Sequence, residues 1–368
     1  CRDMVKKILK ILILILILMV AAVLGYVLYL QLQYSRIPDN AALTSENPKS
    51  EGLLAGTTYS VMSYNIGFGA YSADYTFFMD TGVMLDGTPT QGTHGRAVSR
   101  EAVLQNTQGA IEAIERANPD FVLLQEVDIA STRSFFVNQA ELAAQALPDY
   151  DRVFASNFHS AYLLYPFSEP HGSVEAGLLT LSRYAIEDSV RRSYPVSDNF
   201  VDKFFDLDRC FSVHRIAVDN GRYLVLIHSH MSAYDEGGTI RQQQLDMLSS
   251  VMSEEYARGN YIIVGGDFNH ALGEAALTAF PTGQRQPEWV SLLTEDQLPQ
   301  GFHIAYAENQ DQVATCRGAD IPYEPGVSYL TNVDGFLVSD NIQFRTQNID
   351  TGFAYSDHNP VLMEFILN

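Results

Sequence analysis

From Thr57 onward the chain alternates short apolar runs with amphipathic stretches, the pattern of strands interleaved with helices. Residues 59–64, 121–125, 177–181, 211–218, 223–229, 261–265, 333–339 and 361–366 each predict a strand. Residues 99–117 predict a helix, with Val103, Thr107, Ile111 and Ile114 on one face and Asn118-Pro119 as the stop. A second helix is expected over 239–256. Strands and helices mixed without strict alternation predict an α/β fold, a sandwich of two packed mixed sheets covered by helices. No internal repeat and no second domain follow residue 57. Two stretches lack a regular period. Residues 67–95 are rich in Gly, Thr and aromatics (Phe68, Tyr71, Tyr75, Phe77, Phe78), and 271–328 carry Trp289, Cys316 and Arg317. Loops of that length in a compact domain usually carry function or move.

The first thirty residues follow another pattern. Residues 11–30 form an unbroken apolar run, and about 20 residues at about 1.5 Å each span a bilayer core. Arg2, Lys6, Lys7 and Lys10 precede it. The positive-inside rule then makes residues 1–10 a short basic cytoplasmic tail, 11–30 a single-pass anchor, and the rest extracytoplasmic. A cleaved signal peptide is the rival reading, but the run is long for one and no small-x-small site follows it closely. Cys1 lies before the basic segment, where a lipoprotein cysteine would follow the apolar one, and Met4 offers an alternative start. Residues 31–56 are polar and contain Pro38 and Pro48. They read as a flexible tether with a reach of about 30 Å, ahead of a folded domain over 57–368.

Charge narrows the partners. The whole chain carries a formal −21, and residues 57–368 hold 17 Lys/Arg against 40 Asp/Glu, with Lys203 the single lysine. A protein that grips a nucleic-acid backbone by counterion release needs a basic track, and none is visible, so nucleic acid is a disfavoured partner. Cys210 and Cys316 are expected to be two reduced, partly buried thiols.

The chemistry lies at the strand ends. Asn65 ends the first strand and Glu126 the second. His230 ends 224–229, and Asp267 and Asn269 follow 261–266. Asp334 opens another strand, and Asp357-His358 stand before the last. In α/β proteins ligands gather where strands end, because the sheet fixes the backbone while side chains project into a crevice. Alone, Asn65 is a turn former, Glu126 or Asp334 a solvated charge, and His230 a core histidine. Desolvating so many polar groups beside apolar strands is costly unless a cation or a donor meets them.

Tyr64-Asn65, Leu124-Gln125-Glu126, His228-Ser229-His230-Met231, Gly266-Asp267-Phe268-Asn269, Val333-Asp334-Gly335-Phe336 and Ser356-Asp357-His358-Asn359-Pro360 resemble, in order, the motifs of the endonuclease/exonuclease/phosphatase superfamily, the deoxyribonuclease-I-like fold. The resemblance covers roughly 57–368. It implies a four-layer α/β sandwich and a Mg²⁺-dependent phosphoesterase, with Mn²⁺ as a substitute. By resemblance Glu126 is the main metal ligand, helped by Asn65 and Asp357. Asp267 and Asn269 orient the attacking water and phosphoryl oxygens. His230 and His358 are the paired imidazoles, His358 being oriented by Asp334, and His228 is structural. Arg183 and Arg317 are candidates for anion contact, against a salt-bridge reading of each. Gly67 stands where abasic-site endonucleases tend to carry Asp, and 172–177 lack their Gly-Tyr-Ser-Gly-Val-Gly run, which argues against a repair nuclease.

The expected function is a membrane-anchored hydrolase acting on a small phosphorylated metabolite or a lipid headgroup by direct attack of water. An extracytoplasmic nuclease is the first alternative. A catalytically silent ligand-binding ectodomain is another, and metal-dependent turnover separates it from the enzymes.

Overall fold

A computed structural model describes residues 2–197, 199, 202–204, 207–233 and 238–368. Cys1, whose place before the basic segment bore on the lipoprotein question, lies outside the described residues. The main strands are β1 (Thr58–Asn65), β2 (Phe121–Asp128), β3 (Asp151–Leu163), β4 (Gly172–Ser182), β5 (Asp188–Ser193), β6 (Cys210–Ala217), β7 (Tyr223–His230), β8 (Tyr261–Asp267), β9 (Phe302–Ile304), β10 (Asp334–Ser339), β11 (Ile342–Asn348) and β12 (Val361–Leu367). The helices are α1 (Arg2–Gln33), α2 (Arg100–Ala117), α3 (Gln139–Ala146) and α4 (Thr239–Ala257).

Two mixed sheets result. One runs β11-β12-β1-β2-β4-β3. The other runs β5-β6-β7-β8-β10-β9, with the pair Ala41–Ala42 added outside β5. Alternation along each strand divides the apolar residues between two faces. Tyr59, Val61, Phe121, Leu123, Leu224, Leu226, Tyr261, Ile263, Phe336, Val338, Met363 and Phe365 meet between the sheets. Met62, Tyr64, Val122 and Leu124 turn outward against Ile111, Ile114 and Ala143 of α2 and α3. Val225, Ile227, Ile262 and Val264 turn outward against Leu245, Leu248 and Met252 of α4. The layers are therefore helix, sheet, sheet, helix. Helix α2 starts at Ser99, whose side chain accepts the Ala102 N–H, and stops at Asn118 in the left-handed region (φ 51°).

The segment expected as a tether is docked instead. Ala41–Ala42 pair with β5, Ser45 Oγ and Asn47 N–H donate to Asp151 (2.6 and 3.0 Å), and Leu53 is buried in the inter-sheet core. It shows no period because it binds through edge pairing and scattered polar side chains such as Arg36, Asp39 and Asn47, covering the outer edge of β5 and filling one core position. Cys210 and Cys316 are buried and unpaired. Helix α1 is long and apolar enough to cross a membrane.

Candidate active site

One edge of the sandwich collects the polar strand ends, and strand parity explains how. The face of β7 that carries Leu224 and Leu226 into the inter-sheet core continues to His228 and then His230. On β8 the same face runs Tyr261, Ile263, Gly265, Asp267. On β1 it runs Tyr59, Val61, Ser63, Asn65, and on β10 Asp334 precedes Phe336 and Val338 on it. Parallel pairing of β7 with β8 and of β1 with β2 brings these C-terminal ends to one edge. Antiparallel β10 and β12 deliver Asp334 and the turn bearing Asp357 and His358 to that edge. The tight pairing of β7 and β8 requires Gly266, whose φ is 148° and where a Cβ would stand 1.8 Å from the Ser229 carbonyl oxygen.

Glu126 breaks the parity rule. Regular alternation would turn it outward with Val122 and Leu124. A bulge between Leu124 and Val127, with Glu126 itself at φ +54°, turns the carboxylate into the cavity. A non-glycine residue held in that region is strained, and such strain concentrates at functional sites.

The side chains then interlock. Asn65 Nδ2 donates to Asp267 Oδ2 (3.0 Å) and Glu126 Oε1 (3.3 Å), while its Oδ1 accepts the Gly67 N–H (3.0 Å). That last bond fixes the amide so that Asn65 presents a donor to the carboxylates. The Gly67 N–H occupies one of the two lone pairs of that oxygen, so the expected part of Asn65 beside a cation is compatible with this geometry. Asp267 Oδ1 accepts the Asn269 N–H (2.8 Å), and Asn269, at φ 49°, commits its amide nitrogen to the Met231 carbonyl (2.8 Å). His230 Nε2 and His358 Nε2 lie 3.4 and 3.8 Å from Asp267 Oδ2, so the two imidazoles share one carboxylate oxygen. His358 Nδ1 donates to Asp334 Oδ2 at 2.7 Å.

Burial and neighbours set the charges. Burial pushes His230 well below its ordinary value, aided by the nearby Arg209 and His358 cations, so it is neutral. Burial pulls His358 in the same direction, but Asp334 outweighs it and holds the imidazole well above its ordinary value. Burial, aided by the Asp267 carboxylate and opposed by His358, lifts Asp334 to about 7. Both shifts describe one proton retained by the pair near neutral pH, and the 2.7 Å bond with the cation-favouring field of Asp334 places it on His358. Asp357 keeps some exposure on the cavity wall yet is densely surrounded; that burial lifts it to about 6, with Glu126 adding to the effect and His358 opposing it.

These groups line a cavity of about 810 Å³ whose other wall is apolar and includes Phe77, Phe78, Leu163 and Trp289. The residues present fit a hard divalent cation. Glu126, Asp267 and Asp357 all reach the cavity, and Glu126 and Asp357 repel each other there. Ligand atoms of Asp267, Asp334 and His358 also lie within 4.8 Å of one another. That trio is closed, because Asp334 has no exposed side-chain surface and its Oδ2 is bound to His358. The open carboxylates Glu126 and Asp357 are the better candidates.

Of the two arginines singled out in the sequence, Arg317 lines the cavity. Cys316 and Arg317 run beside His358, and the Arg317 guanidinium donates to the carbonyls of Gly318, Ser72 and Tyr75. Arg183 does not. It follows the last residue of β4, at the opposite end of the sheet from Glu126, and donates to Asn118 Oδ1 over the Tyr150 ring. Arg133, Arg209 and His171, which no local pattern singles out, also line the cavity. Arg133 makes two bonds to Asp128 (2.8 and 3.1 Å) and lies 4.0 Å over the Phe68 ring. His171 donates Nδ1–H to the Gly95 carbonyl (2.5 Å), and burial pushes it down to about 3. His228 sits between the sheets, accepting from Gln125 Nε2 (2.7 Å) and bonded to Thr180 Oγ1 (2.9 Å). The aromatic stretch after Asn65 is mixed in character: Phe68, Tyr71, Phe77 and Phe78 line the cavity, whereas Tyr75 packs within the cluster.

Solved structures of other proteins share this fold. TDP2 of C. elegans superposes with a TM-score of 0.52 at 16% identity, covering 85% of this chain and 76% of that one. An endonuclease/exonuclease/phosphatase of Beutenbergia cavernae gives 0.54 at 16%, covering 84% and 72%. ANGEL2, a 2',3'-cyclic phosphatase solved with adenosine-2',3'-vanadate, gives 0.54 at 14%, covering 90% and 99%. At these identities the likeness shows the fold. Comparison with curated protein sequences finds no match. The model of the Endonuclease/Exonuclease/phosphatase family matches residues 62–358, and the chain belongs to that family of phosphoester hydrolases.

Proposed function

We propose that the protein is a membrane-anchored, Mg²⁺-dependent phosphoesterase that hydrolyses a small or lipid-borne phosphate ester by direct attack of water. The observation that carries this reading is the convergence of Glu126, Asp267, Asp357, Asn269, His230 and the Asp334–His358 pair on one cavity. Glu126 and Asp357 would hold the cation, whose chemistry is neutralisation of phosphate charge. Asp267, bridged by Asn65, stands ready to accept a proton from water at Oδ2. Asn269, its nitrogen held by Met231, has its amide oxygen left to hold that water. The His358 imidazolium faces the growing negative charge, and Asp334 keeps it cationic. Neutral His230 positions the Asp267 carboxylate, and Arg317 meets a phosphoryl oxygen. No side chain is needed as a covalent nucleophile.

Membrane anchoring and an extracytoplasmic domain are supported by α1 and by the basic residues preceding its apolar run. The test is turnover by the purified full chain of phosphomonoesters, phosphodiesters, lipid phosphate esters and plasmid DNA, with Mg²⁺, Mn²⁺ or EDTA. Metal-dependent cleavage of the smaller or lipid esters with higher kcat/KM than DNA is expected. Efficient DNA degradation without turnover of those esters would promote the nuclease reading, and no turnover at all would leave a silent binding domain.

A further inference from the structure

The chemistry above leaves unexplained a strip of exposed apolar side chains at the end of β3 and just beyond it. Tyr162, Leu164, Tyr165 and Phe167 are 39, 39, 54 and 82% exposed. The strip is tied to two other parts of the molecule. One is α1: Tyr26 Oη donates to the Tyr162 carbonyl (3.0 Å) and accepts the Leu164 N–H (3.1 Å), and Tyr29 Oη accepts the Tyr162 N–H (3.0 Å). Leu30 is buried there with Leu163 and Phe204. The other is the cavity, whose wall includes Leu163 and Tyr165. Rings run in sequence from Phe68 through Phe77, Phe78 and Tyr165 to Phe167, with centroids 6.4, 4.9, 5.5 and 5.9 Å apart.

The helix fixes the depth of the strip. Tyr26 lies about 6 Å before Leu30, the end of the apolar run, at about 1.5 Å per residue. Tyrosines at the end of a spanning helix settle at the headgroup level, so whatever they bind is held at that level too. Lys203, the only lysine after residue 56, is at the same junction. Its ammonium lies 4.9 Å from the Tyr34 and Phe204 rings and donates to Gln31 Oε1. A cation there, on an otherwise acidic domain, suits a headgroup surface.

We propose that residues 162–167 seat in the lipid interface and that the cavity takes its substrate from the bilayer across this wall. The substrate is then a lipid phosphate ester, its headgroup reaching Glu126 and Asp357 and its apolar part resting on Phe78, Leu163 and Tyr165. This names the substrate source for the site described above and rests on the membrane-anchored phosphoesterase reading.

Two measurements on the full chain test it. Phe167→Trp is reconstituted in phosphatidylcholine–phosphatidylglycerol vesicles and compared with the parent, whose single tryptophan is Trp289. The added emission should be blue-shifted and quenched at least twofold by shallow doxyl-labelled lipid. Emission open to acrylamide and untouched by the doxyl label, from protein that floats with the vesicles, would overturn the proposal. The double variant Leu164→Asp/Phe167→Asp, in which neither position lines the cavity, should lose at least tenfold in kcat/KM on phosphatidic acid, phosphatidylglycerol or phosphatidylcholine in vesicles. Its turnover of a water-soluble nitrophenyl phosphate ester should stay within twofold. An equal loss on both substrates, no loss on the lipid, or a parent that cleaves the soluble ester but none of the three lipids would each contradict it. Failure of the parent to float would instead sink the anchor, and failure to cleave any ester would sink the enzyme reading.

Discussion

His228 and His230 stand two residues apart on one face of β7, and replacing each in turn separates scaffold from chemistry. His228→Ala removes the bonds to Gln125 Nε2 and Thr180 Oγ1 and leaves both partners buried, at 0 and 1% exposure. Gln125 keeps its bonds to Ser63 and Leu123 and Thr180 its bond to His214, so two lost bonds at about 1 kcal/mol each and an imidazole-sized void give a loss of about 3–5 kcal/mol. That is a large share of the roughly 5–15 kcal/mol that holds a domain together. A pH dependence should accompany it. Burial, with His214 nearby, holds His228 well below its ordinary value, and His214 itself is pushed to about 3 by burial. A histidine depressed in the folded state is protonated first in the unfolded one, so its stability contribution is complete above about pH 6.5 and is lost as pH falls below that. For His214 the loss by pH 5 is about 2 kcal/mol. The parent should therefore lose more stability between pH 7.5 and 5 than His228→Ala does. Urea unfolding of the full chain in detergent at both pH values measures this, beside turnover per folded molecule. His230→Ala, which removes the group positioning Asp267, should instead cut turnover about 10–100-fold with a smaller stability change. If His228→Ala unfolds like the parent but loses turnover a hundredfold, the assignment is reversed.

Three further outcomes are expected. Arg317→Ala should raise KM or lower kcat/KM at least tenfold, whereas Arg183→Ala, at the far end of the sheet, should stay within twofold in the same assay. Gly266→Ala should cost more than about 3 kcal/mol in urea unfolding, because its Cβ would fall 1.8 Å from the Ser229 carbonyl oxygen and pry β7 from β8; a near-parental midpoint would contradict the close approach. The full chain should remain in the membrane fraction with its C-terminal domain open to protease from outside the cell, and recovery of a soluble protein beginning after the apolar run would show a cleaved signal peptide.

The strand ends were legible in the sequence because both sheets obey simple alternation. Once Leu224 and Leu226 or Tyr261 and Ile263 are placed in a core, His230 and Asp267 follow on the same face. Glu126 could be named by resemblance, but its direction could not be read, since it depends on a bulge that reverses the alternation. Strand β3 stayed hidden because its inner positions include Asp151 and Asn157, polar groups buried by the fold rather than signalled by hydropathy. β11 buries only Ile342, Thr346 and Asn348 and so has almost no apolar signal. The docked segment before Thr58 is held largely by edge pairing and by Asp151, which local pattern does not reveal. Arg133 and His171 reach the cavity from a turn and from the start of β4, and only tertiary structure brings them there.

Glu126 is the cavity carboxylate proposed to hold the cation, and titration of turnover with Mg²⁺ tests that role. In the parent, EDTA should abolish turnover and Mg²⁺ restore it. Glu126→Gln, which keeps the shape and removes the charge, should unfold at a similar urea concentration, need far more Mg²⁺, and turn over at least a hundredfold more slowly at saturation. A variant that reaches near-parental rate at saturating Mg²⁺ would contradict the assignment.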